Sequence, residues 1–98
     1  MHMKAVRLDD YYVNVLINGL YRQHEAFDIE TNDFLNHLLL RLIDISDSMK
    51  PNRKKKLIFD PTEIKLIRFC LIEWRTDSLE AADDVAVEVI DELFLKLT

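Results

Sequence analysis

The sequence predicts an all-α fold, a small bundle of about four helices with up-and-down or orthogonal packing. The 98 residues include only one Gly and two Pro, so the positive-φ turns that tight β-hairpins need are scarce. Apolar residues make up 49% of the chain, which is enough for one core in a chain of this length. We therefore expect one helical domain over residues 1–98. Met1 and His2, which could precede a natural start at Met3, are set aside.

Apolar spacing and capping residues define the first two helices. Helix one begins near Asp9 or Asp10, whose carboxylates can accept hydrogen bonds from free backbone N–H groups. The polar stretch 24–31 forms the first joint, and helix two covers about 31–49. Helix two ends before Pro51, because the residue before a proline disfavours helical geometry. Its apolar stripe steps by three and four residues, at Leu35, Leu38, Leu42, Ile45 and Met49.

Helix three has the clearest start in the chain, with Asp60 as N-cap, Pro61 at the first helical position and Glu63 as the capping-box partner. It is apolar nearly all round over residues 61–75, which indicates a central helix or one that meets another chain. Helix four is expected after Thr76, with Asp77 or Ser78 as its cap and an acidic outer face. The run 57–59 could instead be extended, and no internal repeat is evident.

The charge is divided unevenly along the chain, although the net charge is −5. Residues 50–76 hold eight Lys or Arg against three Asp or Glu, whereas residues 77–98 hold one against seven. The basic excess lies mainly in one segment, 50–56, and in a thin strip on helix three. Such a segment either binds phosphate or is a solvated loop that keeps the protein soluble.

Our first functional hypothesis is a non-enzymatic protein-interaction module, a small regulator, adaptor or inhibitor of bacterial or phage type. Helix three carries more apolar surface than one internal face requires, and a protein partner or a homodimer would cover the surplus. The lone Trp74 is either a core residue or an interface anchor. The residues expected to bind the partner are Lys65, Arg68, Phe69, Ile72, Trp74 and Arg75.

The second hypothesis is nucleic-acid binding by the basic segment, through Lys50, Arg53, Lys54, Lys55 and Lys56. Two observations disfavour it: no aromatic residue is interleaved to stack on bases, and the sequence pI is about 5.1. A helix-turn-helix of helices three and four is also disfavoured, because a row of carboxylates would meet the DNA phosphates.

The third and least favoured hypothesis is a carboxylate- and metal-dependent enzyme. An acidic pair with three-residue spacing occurs twice, as Glu80 with Asp83 and Glu88 with Asp91, and was assigned to one face of helix four. Two His–Asp pairs at four-residue spacing also occur, His24 with Asp28 and Asp33 with His37. A metal site needs three or four converging ligands, so we predict no metal, no cofactor and no catalytic residue.

Cysteine usage and hydropathy bear on the compartment. The single Cys70 excludes an intramolecular disulfide, lies in an apolar run and is expected to be a buried thiol. No apolar run approaches the ~20 residues of a membrane-spanning helix, and the acidic residues at 9 and 10 come before any apolar signal-peptide region. These observations predict a cytoplasmic protein with no membrane association.

Overall fold

A computed structural model describes residues 2–98, so that Met1 lies outside the described residues. Its elements, in order, are β1 (Lys4–Leu8), α1 (Asp10–Tyr21), α2 (Ile29–Ser48), β2 (Lys55–Phe59), α3 (Pro61–Glu80) and α4 (Asp84–Leu97). The prediction of four helices in a mostly helical domain is confirmed. The prediction of an all-α fold is wrong, because β1 and β2 pair as a two-stranded antiparallel sheet.

The two strands follow from a period-two alternation that is too short to stand out in the sequence. Val6 and Leu8 of β1, and Leu57 and Phe59 of β2, are at most 3% exposed and face the helices. The residues between them, including Arg7, face solvent. Alternation of this kind is what a sheet with one buried face requires. The extended alternative for 57–59 is therefore confirmed, whereas β1 was missed.

The order strand, helix, helix occurs twice, which corrects the prediction of no internal repeat. Each strand runs into an aspartate N-cap and a helix, and a second aspartate caps the second helix of each half. Buried residues recur at constant spacing through the strands and first helices: Val6 with Leu57, Leu8 with Phe59, Leu16 with Ile67, and Leu20 with Leu71. They do so again in the second helices: Leu35 with Ile90, Leu38 with Leu93, and Leu42 with Leu97.

The pairing of the strands reflects this repeat. Val6 lies directly opposite Leu57, and these two residues occupy the same position in the two halves. An antiparallel pair centred on equivalent residues has local two-fold symmetry. The repeat is not evident in the sequence because the equivalent positions share apolar character and N-cap chemistry rather than residue identity.

The predicted start of α3 is confirmed, but the predicted end is wrong. Asp60 and Glu63 form the capping box, with backbone-to-carboxylate distances of 2.7 and 2.9 Å. No Gly or Pro interrupts residues 76–80, and α3 continues to Glu80. Ala82 then adopts a positive φ of 55°, and Asp83, not Asp77 or Ser78, caps α4.

The joint between α1 and α2 also differs from the prediction. α2 begins two residues earlier than expected, because the Asp28 carboxylate accepts a hydrogen bond from the Thr31 backbone N–H at 2.8 Å. The Thr31 hydroxyl and, to a smaller extent, this backbone N–H stabilise the ionised carboxylate and lower the pKa of Asp28 below its ordinary value. In the preceding joint, Glu25 has a positive φ of 62°.

The core lies between the sheet and the four helices, and α1 and α3 cross in close contact. Gly19 of α1 is buried where they cross. A Cβ atom added at Gly19 would lie 3.0 Å from Trp74 Cε3 and 3.1 Å from Leu71 Cδ2. A glycine here allows the two backbones to approach more closely than any larger residue would. Among residues 2–98, no helix has the length and apolar character needed to cross a membrane.

Candidate functional site

The solvent-facing side of the two-stranded sheet, hereafter the ribbon (β1 and β2), carries a pair of like charges. Arg7 lies directly opposite Lys56, and Ala5 lies directly opposite Ile58. All four residues are exposed. Like charges facing each other across antiparallel strands destabilise the pair. The outer face therefore has a basic end and an apolar end.

The ribbon and the segment leading into β2 form one basic surface. Residues 3–8 and 50–58 together hold seven Lys or Arg and no Asp or Glu, namely Lys4, Arg7, Lys50, Arg53, Lys54, Lys55 and Lys56. None of these seven forms a salt bridge within residues 2–98. Near the basic end, four of them line a concave surface of about 310 Å³, together with Ser48 and Met49.

The carboxylates nearest to the ribbon are occupied by other partners. Asp9 and Asp60 accept hydrogen bonds from the first turns of α1 and α3. Asp10 accepts a hydrogen bond from the Asn52 backbone N–H at 3.2 Å. The buried Glu63 forms a 2.9 Å ion pair with Arg41. These aspartates keep their negative charge, but within residues 2–98 no carboxylate forms a salt bridge with the seven basic side chains. An anion from outside the chain could therefore bind to them directly.

The predicted nucleic-acid-binding residues lie partly on a strand and partly before it. Lys55 and Lys56 belong to β2, and Lys50, Arg53 and Lys54 precede it, so that the segment is only partly a loop. Arg7 and Lys4 were not predicted to belong to this surface. The signal that could have found them is the alternation Lys4-Ala-Val-Arg-Leu8, with its apolar residues at every second position.

The six residues predicted to bind a protein partner do not form one surface. Phe69 and Ile72 are 46% and 53% exposed, and Lys65 and Arg68 are exposed beside them. Trp74 is half-buried against Gly19, with the Arg22 guanidinium carbon 5.9 Å from its ring centroid. Arg75 is bound to Asp91 of α4, with a 2.7 Å Nε–Oδ1 distance. This ion pair raises the pKa of Arg75 above its ordinary value.

A groove of about 400 Å³ lies between the N-terminal parts of α2 and α3, hereafter the α2–α3 groove. It is lined by Glu30 and Phe34 from α2 and by Thr62, Lys65, Leu66 and Phe69 from α3. The backbones of these helices approach each other little, and side chains bridge them at two places. Arg41 of α2 binds Glu63 of α3 on one side. On the other side the ring of Phe27, from the joint before α2, lies 5.5 Å from the ring of Phe69.

Of the two acidic pairs of the third hypothesis, Glu88 with Asp91 lies on α4 as expected, whereas Glu80 with Asp83 does not, which corrects the assignment of both pairs to one helix. Glu80 ends α3, whereas Asp83 caps α4 and Asp91 binds Arg75. Within residues 2–98, no group of three or more His, Cys, Asp or Glu side chains is arranged to hold a metal ion. His24 and His37 each place Nδ1 near a backbone carbonyl of their own turn, at 2.7 and 2.8 Å.

Cys70 of α3 is fully buried in the core. Burial, with a smaller contribution from the negative charge of Glu73, raises the pKa of the thiol from 9.0 to about 11. The thiolate is the nucleophilic form. We therefore expect iodoacetamide to modify Cys70 slowly in the folded protein, even at a pH near the ordinary pKa of 9.0. Mass spectrometry should detect rapid modification only in denaturant; equal rates in both states would contradict this prediction.

Comparison with protein-family models, curated proteins and solved structures finds no match to this chain.

Proposed function

We propose that this protein binds double-stranded DNA, with the outer face of the ribbon directed into the major groove. The observation that carries the proposal is the exposed pair of Arg7 and Lys56 on a two-stranded antiparallel ribbon. This pair costs folding free energy, and within residues 2–98 neither side chain forms a salt bridge with a carboxylate. The stability of the fold does not account for such a pair, whereas binding to DNA phosphates and base edges would.

The dimensions of the ribbon suit a major groove. Two paired strands are about 5 Å apart, and five residues extend about 17 Å. The major groove of B-DNA is about 12 Å wide and admits a two-stranded β-ribbon. The inward residues of the ribbon are fixed in the core, so that the helices would hold its outer side chains rigidly against the DNA.

The side chains of the outer face suit direct contact with base edges. Arg7 has the fork of donors that binds guanine O6 and N7, and Ile58 offers an apolar surface for a thymine methyl group. The basic end and the apolar end lie at opposite ends of the ribbon. The preferred sequence is therefore expected to be asymmetric, despite the local two-fold symmetry of the backbone.

The acidic net charge does not oppose this proposal, because the charges are segregated. The seven basic side chains lie on and beside the ribbon, whereas residues 77–98 carry one Lys against seven Asp or Glu. Phosphates would therefore attract the ribbon and repel the acidic residues of 77–92. The C-terminal end of α4, which carries Lys96, packs against β1, and the Lys4 ammonium donates a hydrogen bond to the Thr98 carbonyl at 2.6 Å. The segregated charges orient the protein as it approaches DNA.

Arg7→Glu tests the proposal, because it should change DNA binding and stability in opposite directions. The substitution replaces a like-charge cross-strand pair by an opposite one, which should stabilise folding by about 0.2–1 kcal/mol. It should also weaken binding to a duplex by at least about tenfold, through loss of a cationic contact and repulsion of phosphate. Fluorescence anisotropy with a labelled duplex and thermal unfolding measure the two effects.

Arg68→Glu is the matched control, because it makes the same charge change at an exposed site on α3, away from the ribbon. Its effect on DNA affinity should be small. For about five phosphate contacts, wild-type affinity should fall several hundred-fold between about 50 and 200 mM salt. The proposal fails if the wild-type protein does not bind duplex DNA at low salt. It also fails if the two variants lose affinity equally.

The α2–α3 groove favours a second function, non-enzymatic protein–protein interaction, in which the chain acts as a regulator, adaptor or inhibitor. Phe69 and Ile72 leave apolar surface exposed beside it, as expected of interaction sites. The groove and the ribbon use different residues. The two functions could therefore operate in the same molecule.

A further inference from the structure

We propose that the α2–α3 groove binds an amphipathic helix of a partner protein, with acidic residues along the helix edge that faces α3. This inference rests on the proposed protein-interaction function and is independent of DNA binding by the ribbon. The floor of the groove is apolar, formed by Phe34, Leu66 and Phe69. An elongated apolar groove between two helices is the shape that receives the apolar stripe of a third helix.

The repeat gives the α2–α3 contact a counterpart between α1 and α4. At that counterpart Tyr12 bridges α1 and α4, donating a hydrogen bond to Glu92 and packing its ring 4.8 Å from Lys96 Nζ. The equivalent position in α3 is Glu63, and the equivalent of Lys96 in α2 is Arg41. Between α2 and α3, an ion pair of Glu63 with Arg41 therefore takes the place of the aromatic bridge, and it lies outside the residues that line the groove.

The charges on the rim select the partner. Lys65 lines the α3 rim of the groove, and Arg68 is exposed about one turn further along α3, outside the lining residues. Neither forms a salt bridge within residues 2–98. Glu30 is exposed on the α2 rim. A bound helix with Glu or Asp along one edge and a basic residue on the other would match both rims, which also fixes its direction.

A second copy of this chain, bound through the same face of α3, would match the charges of the groove less well than an acidic helix of another protein. A symmetric contact of α3 with α3 would bring the Lys65 and Arg68 strips of two molecules together, and like charges at an interface are unfavourable. The exposed face of α3 from residue 62 to 72 offers no carboxylate to offset them, since Glu63 is buried and bound to Arg41. The charges therefore favour a different protein.

A displayed library of amphipathic helices with randomised flanking positions tests the proposal against the full chain. We expect selection of helices with an apolar stripe and with Asp or Glu on the edge that contacts α3. Phe69→Glu should weaken their binding by at least about tenfold, because it places a charge on the groove floor. Leu79→Glu is the matched control, since Leu79 lies on the same helix, is 52% exposed and is outside the groove.

Charge reversal on α3 tests the acidic partner class separately from protein interaction at the groove. The double variant Lys65→Glu, Arg68→Glu should reject the selected acidic helices and bind versions with Lys in place of the acidic residues. Selection of helices without acidic enrichment would overturn the partner class but leave protein interaction standing. Failure to select any helix, or binding that survives Phe69→Glu, would overturn both. A dimer detected by light scattering and lost in Phe69→Glu would assign the groove to a second copy instead, and the proposal would be wrong.

Discussion

Phe59→Ala is expected to reduce the free energy of unfolding by about 3–5 kcal/mol, the range for removing a fully buried aromatic side chain. Phe59 is 0% exposed, and it packs under the ribbon with Arg41 5.5 Å above its ring centroid. The substitution leaves a cavity between the sheet and the helices, which the paired strand cannot collapse to fill. Chemical denaturation followed by circular dichroism measures the change.

Ile58→Ala is the control, because Ile58 is the adjacent residue of the same strand and its side chain faces solvent, 49% exposed. Its loss should cost less than about 1 kcal/mol, as is usual for partly exposed apolar residues. A large difference between neighbouring positions is the signature of a strand with one buried face. Similar costs at both positions would contradict the strand assignment and, with it, the ribbon.

Gly19→Val is expected to destabilise the fold by about 1–3 kcal/mol, the usual cost of adding bulk to a close-packed site. Even a single Cβ atom at this position would lie 3.0 Å from the Trp74 ring and 3.1 Å from Leu71. The two γ-methyl groups of valine would force α1 and α3 apart. Valine is a better helix former than glycine, and this difference in helix propensity offsets only a small part of the destabilisation. Thermal unfolding and the fluorescence of the single tryptophan would report the change.

A double-mutant cycle tests whether the clash with Trp74 is the cause. In the Trp74→Leu background, Gly19→Val should cost less than it does alone, because the smaller side chain leaves room for the new methyl groups. Asn18→Val, at the neighbouring exposed position of α1, should have little effect. Additive costs for Gly19 and Trp74 would show that the close approach of the helices does not cause the loss.

The start of α3 could be predicted from sequence because its signals are local. Asp60, Pro61 and Glu63 form a capping box and N1 proline from neighbouring residues, and the structure has them at the predicted positions. The end of α3 could not be predicted in the same way. Residues 76–80 carry no strong stop signal, and α3 ends where Ala82 takes up a left-handed conformation.

The ribbon and the groove depend on residues far apart in the chain. Arg7 meets Lys56 only when the two strands pair, and Phe34 meets Leu66 and Phe69 only when α2 and α3 pack around the same core. The identities of these residues are in the sequence, but their proximity is not. The basic segment and the apolar helix can be recognised in the sequence, whereas the cross-strand charge pair and the groove beside that helix cannot.

By itself, the sequence determined the four helices, the burial of Cys70, the capping of α3 and the concentration of positive charge at 50–56. These properties depend on spacing and charge within a few turns of chain. Only the tertiary structure decided that β1 and β2 form a sheet, that the chain contains two strand–helix–helix halves, and that Arg7 completes the basic face. A five-residue strand has no stable hydrogen-bonding partner until the other half of the chain supplies one. Its formation is therefore a property of the whole fold.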